Sequence, residues 1–179
     1  MKRDELRELI KGPICTLPAP FDSDFRPDYG RMYDLCRWLI GQGLRTGKSV
    51  LKVAAAGGEG LQLSEDEWSE MLKSVVSAAG SEVPVMVGIS HKDTYRTIED
   101  AKKAQDLGAV CLQISPPIFN TPNQDDLLRH YGDISDAIEI GGRLFRPELD
   151  QMPRGQPRRP RPTIRRSLLP PAIALLRSR

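Results

Sequence analysis

Hydrophobic residues along the first 141 positions fall into two alternating patterns. Short, nearly continuous apolar runs predict buried strands at residues 12–18, 48–55, 83–89 and 109–115. Between them, apolar residues recur every three or four positions. That spacing predicts helices from Asp28 to about Gly41 and over 65–79, 94–107 and 125–138, after a short leading helix at 6–11. Four βα units around a parallel sheet follow, which fits either half of an eight-stranded barrel or a small doubly wound domain.

The apolar stripes also predict which helix residues face the core. The expected inward residues are Tyr29, Met32, Tyr33, Cys36, Leu39 and Ile40 in the first long helix, Trp68, Met71, Leu72, Val75 and Val76 in the second, and Leu127, Leu128, Tyr131, Ile134 and Ile138 in the last.

A glycine-rich turn joins the second strand to its helix. Ser64 and Glu67 have the spacing of a capping box, which predicts the helix start. Gly57, Gly58 and Gly60 would permit positive φ angles and the close approach of a ligand to the backbone. A turn of this kind at the end of a strand can bind a small anion through its N–H groups, although a tight connection without a ligand fits equally well.

Charge divides the chain into two parts. Residues 1–141 contain 16 Lys and Arg against 22 Asp and Glu, whereas residues 142–179 contain 10 Arg, no Lys and two acids. The second part also holds 7 of the 15 prolines and shows no helix or strand pattern. We therefore expect an ordered region at 1–141 and a disordered Arg/Pro-rich tail at 142–179. The abrupt change favours out-of-frame translation, and nonspecific contact with nucleic acid is the less favoured alternative.

The remaining composition indicates a soluble cytoplasmic protein. Cys15, Cys36 and Cys111 are widely spaced without a C-x-x-C pair, which indicates reduced core thiols, and neither His91 nor His130 lies in a recognisable motif. We expect no metal site and no cofactor. The N-terminus lacks the apolar segment of a signal peptide, and the apolar run 168–176 is too short to span a membrane.

Five motifs in order resemble one family. They are the Gly-Pro-Ile-x-Thr-x-Pro run at 12–18 with Pro-Phe-Asp at 20–22, Ala-Gly-Gly-Glu-Gly at 56–60 with Leu-Ser-x-x-Glu at 63–67, the strand 83–88, the segment 101–109, and Ser-Pro-Pro at 115–117 with Asn120 and His-Tyr at 130–131. Together they resemble the amino-terminal half of the dihydrodipicolinate synthase/N-acetylneuraminate lyase family.

This resemblance implies a partial (β/α)8 TIM barrel of about four βα units and a homo-oligomer. It also implies class I aldolase-type lyase chemistry, in which a pyruvate-type 2-oxo acid forms a Schiff base with a lysine. The turn at Ala56, Gly57 and Gly58 matches the place where the family binds the substrate carboxylate, and Phe119 matches the position of a relay tyrosine.

Several family residues have no counterpart. The family has hydroxyl-bearing residues in the turn, where this chain has Ala56 and Gly57. Phe119, at the position of the relay tyrosine, has no hydroxyl and cannot carry a proton. The Tyr of the fifth strand and the Schiff-base Lys of the sixth have no match after residue 141. We therefore expect a truncated family member that is inactive alone, with a noncatalytic small-carboxylate-binding module and a basic-tailed interaction protein as alternatives. Lys52, in the second strand, is the one lysine in the body that burial could activate, but a solvent-facing role is the simpler interpretation.

Overall fold

The structure is a computed structural model that describes residues 3–90, 93–117 and 122–144. Its elements in chain order are α1 (Arg3–Leu9), β1 (Ile14–Thr16), α2 (Tyr29–Gly41), β2 (Val50–Val53), α3 (Glu65–Ala79), β3 (Val85–Ile89), α4 (Thr94–Asp106), β4 (Cys111–Ile114), α5 (Gln124–Ala137) and β5 (Gly141–Leu144). Two short 3₁₀ helices, Ala56–Gly58 and Gly60–Gln62, lie between β2 and α3.

The five strands form one parallel sheet in the order β1-β2-β3-β4-β5. Sequence neighbours are therefore also spatial neighbours, and each pair of strands is connected by one helix. Ile14 pairs with Val50, Lys52 with Met86, and Gln113 with both Gly88 and Arg143. The predicted α/β class with four βα units is confirmed, and β5 begins a fifth unit.

Alternation along the strands gives the sheet two different faces. One face packs against the helices and forms the main core, which includes Leu51, Val53, Val87, Leu112 and Ile114 from the strands and Met32, Cys36, Met71, Leu72, Val75 and Ile134 from the helices. Burying a Val, Leu, Ile or Met side chain of this set contributes about 1.5–3 kcal/mol to the free energy of folding. The other, inner face carries Val50, Met86 and Cys111, which pack against Leu6 of α1. Helix α1 therefore covers the inner face at the amino ends of the strands.

Short polar side chains start the helices. Asp28 accepts a hydrogen bond from the Arg31 N–H, which confirms the predicted start of α2. The predicted capping box at α3 is also confirmed, because Ser64 and Glu67 each accept the other's backbone N–H. Helices α4 and α5 begin in the same way, after Asp93 and Asn123.

Some boundaries and faces differ from the sequence-based expectation. The strands are shorter than the apolar runs, because each ends where its ladder of hydrogen bonds ends. Leu128 is 42% exposed and Tyr33 is 41% exposed, so their predicted core positions are wrong. Strand β5 extends from Gly141 to Leu144, three residues past the predicted boundary at 141. The predictions for 145–179 lie outside the described residues.

Candidate functional site

The turn after β2 is built from two residues in the left-handed region. Ala54 has φ 52° and Glu59 has φ 61°, whereas Gly57, Gly58 and Gly60 have no positive φ. The three glycines therefore do not adopt the positive φ angles that they would permit. The 3₁₀ helix Ala56–Gly58 lies between the two left-handed residues, directly beyond the carboxyl end of β2.

The glycines are needed because the chain's own backbone comes very close to them. A Cβ on Gly58 would lie 2.1 Å from the Leu17 carbonyl oxygen, and one on Gly60 would lie 2.0 Å from the Ala54 carbonyl oxygen. The same Ala54 carbonyl oxygen also crowds Gly88 on β3, where it lies 2.5 Å from the Cβ position. Real Cβ contacts are never this short, so at Gly58 and Gly60 the close approach is by protein backbone rather than by a ligand. Gly57 differs, because nothing lies within 4 Å of its Cβ position.

The N–H groups of the turn divide into two sets. The N–H of Gly58 donates to the Ala55 carbonyl oxygen at 2.9 Å, and the Gly60 N–H donates to the same oxygen at 3.0 Å. The Ala56 and Gly57 N–H groups begin the 3₁₀ helix, and within the described residues they donate to no acceptor. Both residues are exposed. The turn therefore presents two adjacent N–H donors to solvent, and Gly58 is buried behind them.

Helix α3, which follows the turn, is bonded to the sheet. The Trp68 indole N–H donates to the Gly88 carbonyl oxygen at 3.0 Å, and this buried bond connects α3 to β3. A cavity of about 110 Å³ lies beside it, lined by Ala54, Gly60, Trp68, Gly88 and Asp100, among others. The bond thus holds the first turns of α3, the helix that follows the glycine-rich turn, against β3.

Polar residues occupy the inner face near the carboxyl ends of the strands. Lys52 of β2 is half-buried and donates from Nζ to the Gln113 side-chain oxygen at 3.0 Å. Gln113 of β4 is itself 6% exposed. One residue beyond β3 and β4, the Ser90 hydroxyl donates to the Ser115 hydroxyl at 3.0 Å. The structure therefore contradicts the simpler interpretation of Lys52 as a solvent-facing lysine.

His130 is the buried titratable residue that the sequence did not reveal. Its Nδ1 lies 2.9 Å from the Thr94 hydroxyl, and its Nε2 is buried without a hydrogen-bond partner among the described residues. Burial lowers the pKa of His130, and the nearby carboxylates of Asp133 and Asp93 oppose that change. The residue joins α4 to α5, so we assign it to packing. The helical spacing of Leu127, His130 and Ile134 was the available signal for its burial.

The other candidate residues lie outside this arrangement. Phe119 and His91 lie outside the described residues. Cys36 and Cys111 are buried free thiols, as predicted for core cysteines, and Cys15 is half-buried. Burial raises the pKa of Cys36 to about 12, so this thiol is inert near neutral pH. No helix in the described part of the chain is long and apolar enough to cross a membrane.

Comparison with known proteins identifies the relationship. The model of the dihydrodipicolinate synthetase family matches residues 9–140. The chain belongs to this family. It is 31% identical over 142 residues to the 4-hydroxy-tetrahydrodipicolinate synthase of Psychrobacter arcticus, and 33% identical over 132 residues to that of Thermomicrobium roseum. These matches cover 79% and 74% of this chain but only 46% and 42% of the relatives, so the chain spans less than half of their length.

Solved structures of the family have the same fold. The pyruvate complex of the Acinetobacter baumannii dihydrodipicolinate synthase superposes with a TM-score of 0.70 at 30% identity, covering 75% of this chain and 45% of that chain. The Thermotoga maritima enzyme gives a TM-score of 0.69 at 26% identity, with 76% and 44% covered. The expected partial (β/α)8 barrel and the family resemblance are both confirmed.

Proposed function

We propose that this chain binds a pyruvate-type 2-oxo acid through the Ala56 and Gly57 N–H groups. The observation that supports the proposal is the pair of adjacent, exposed donors at the start of a 3₁₀ helix, beyond the carboxyl end of a parallel strand. Ligands of open parallel sheets and of barrels bind at this end of the strands. A carboxylate accepts two N–H groups in this geometry without a positively charged side chain.

Family membership narrows the class of ligand. The family consists of lyases that use pyruvate, and the Acinetobacter baumannii relative was crystallised with pyruvate bound. The resemblance implies that this turn corresponds to the family's carboxylate-binding turn, and it lacks the family's hydroxyls, since Ala56 and Gly57 carry none. The remaining donors belong to the backbone. They can bind a carboxylate, but they cannot pass a proton during the reaction.

We therefore infer that binding, rather than carbon–carbon lyase catalysis, is the activity of the 179-residue chain. Two measurements on the same protein sample distinguish binding from catalysis. Titration calorimetry with pyruvate should show binding, and a coupled lyase assay should show no turnover. Turnover above the buffer control would contradict this inference. Binding by a cytoplasmic homo-oligomer is the setting we expect, and light scattering in the same buffer measures the oligomeric state.

The binding site is tested by Ala56→Pro. Proline removes the N–H of residue 56, and position 56 tolerates it because it is the first residue of a 3₁₀ helix that follows an extended Ala55. Losing one hydrogen bond to a charged group should weaken pyruvate binding by about tenfold or more. Glu65→Pro is the matched control, because Glu65 is the first residue of α3 and also follows an extended residue. Equal affinities in the two variants would refute the proposed site.

A further inference from the structure

Lys52 reaches Gln113 by crossing the inner face of the sheet. In the register, Lys52 pairs with Met86, whereas Gln113 pairs with Gly88, which lies two residues further along β3. Gln113 is therefore two strands away from Lys52, about 10 Å, and nearer the carboxyl ends. A hydrogen bond of 3.0 Å between their side chains requires the lysine to lean toward the carboxyl ends and to pass over β3.

The backbone that follows β2 reaches the row of Gln113 on the same face. Gly88 is the inner-face residue of β3 in that row, and a Cβ there would lie 2.5 Å from the Ala54 carbonyl oxygen. The hydrogen bond to Gln113 places the Lys52 ammonium on the inner face, toward the end of the sheet where the turn at Ala56 and Gly57 lies. Two kinds of donor thus occur at one end of the sheet, namely a backbone N–H pair and a cation held by an amide.

A ligand whose only polar group is a carboxylate would hydrogen-bond to the backbone N–H pair of Ala56 and Gly57 alone. A 2-oxo acid carries a second acceptor, its carbonyl oxygen, on the carbon next to the carboxylate. An ammonium group gains more from a carbonyl oxygen than from a methylene group, because the oxygen carries a partial negative charge.

We propose that Lys52 binds the carbonyl oxygen of the ligand and thereby selects 2-oxo acids over simple aliphatic carboxylates. Gln113 is the positioning residue that orients the ammonium. This inference rests on the proposed binding of a carboxylate at Ala56 and Gly57, and it adds the residue that recognises the rest of the ligand.

The test compares pyruvate with propionate, which has the same three carbons and carboxylate but no carbonyl oxygen. Titration calorimetry on the 179-residue chain should show pyruvate binding about tenfold more tightly, the value of one hydrogen bond to a charged group. Lys52→Met keeps the aliphatic part of the side chain, and it should weaken pyruvate binding about tenfold more than propionate binding, which abolishes the preference. Lys48→Met, at an exposed lysine just before β2, should retain the preference.

The possible outcomes separate this inference from the proposed function. Equal binding of the two acids to the unchanged chain, or a preference that survives Lys52→Met, would overturn the role of Lys52 while leaving the carboxylate site intact. Loss of both acids in Lys52→Met would show a structural role and would also overturn it. Failure of the unchanged chain to bind either acid would remove both proposals.

Discussion

Replacing Trp68 by Phe tests whether one buried hydrogen bond fastens α3 to the sheet. The change removes the indole donor and leaves the Gly88 carbonyl oxygen without its 3.0 Å partner. An unsatisfied buried acceptor costs about 1–3 kcal/mol. The smaller ring also enlarges the adjacent cavity of about 110 Å³ and adds about 1 kcal/mol. We therefore expect the free energy of unfolding to fall by about 2–4 kcal/mol.

Trp38→Phe is the matched control for this measurement. Trp38 is 60% exposed on α2, whereas Trp68 is 7% exposed, so the same substitution should change stability by less than about 0.5 kcal/mol there. Urea unfolding followed by far-ultraviolet circular dichroism gives both values, provided that the denaturant dependence is unchanged. Similar losses in the two variants would refute the assignment of the Trp68 bond as a fastening contact.

Three further predictions concern the turn, a helix cap and a buried base. Gly60→Ala should destabilise the fold by about 1–3 kcal/mol because its Cβ would overlap the Ala54 oxygen, whereas Gly57→Ala, in open space, should not; thermal melting compares them. Ser64→Ala should cost about 1 kcal/mol in urea unfolding through loss of the α3 cap, and an unchanged midpoint would contradict this role. Stability should fall as the pH drops below about 6.5, because the unfolded chain binds a proton that buried His130 resists. Unfolding between pH 7 and pH 5 should show a smaller fall in His130→Gln.

Local signals in the sequence predicted the elements well. Helix α3 has the predicted bounds because its start is marked by Ser64 and Glu67 and its end by Gly80, all within one short stretch of chain. The regular alternation of strands and helices predicted a parallel sheet, but it left the strand order open between a half-barrel and a doubly wound domain. These features depend on neighbours in sequence, so a single chain contains the information for them.

The geometry of the site depends on contacts between distant parts of the chain, and it was predicted less well. Gly58 is required by the Leu17 oxygen, 41 positions earlier in the chain, and nothing near residue 58 indicates that crowding. The positive φ of Ala54 was missed because that conformation usually belongs to glycine. Lys52 and Gln113 are 61 residues apart, and only the register of the strands brings them together.

The all-parallel sheet has a consequence for how the chain folds. Among the five described strands, no pair forms a local hairpin. Their paired residues are separated by between 25 positions, as in Met86 with Cys111, and 36 positions, as in Ile14 with Val50. The entropy of closing such loops grows only logarithmically with length, so the longest and the shortest differ by only about 0.3 kcal/mol. The entropy of loop closure therefore does not favour the early formation of any one strand pair. The order of assembly should instead follow how much apolar surface each helix buries when its two strands meet, and folding should be slow for a chain of this size.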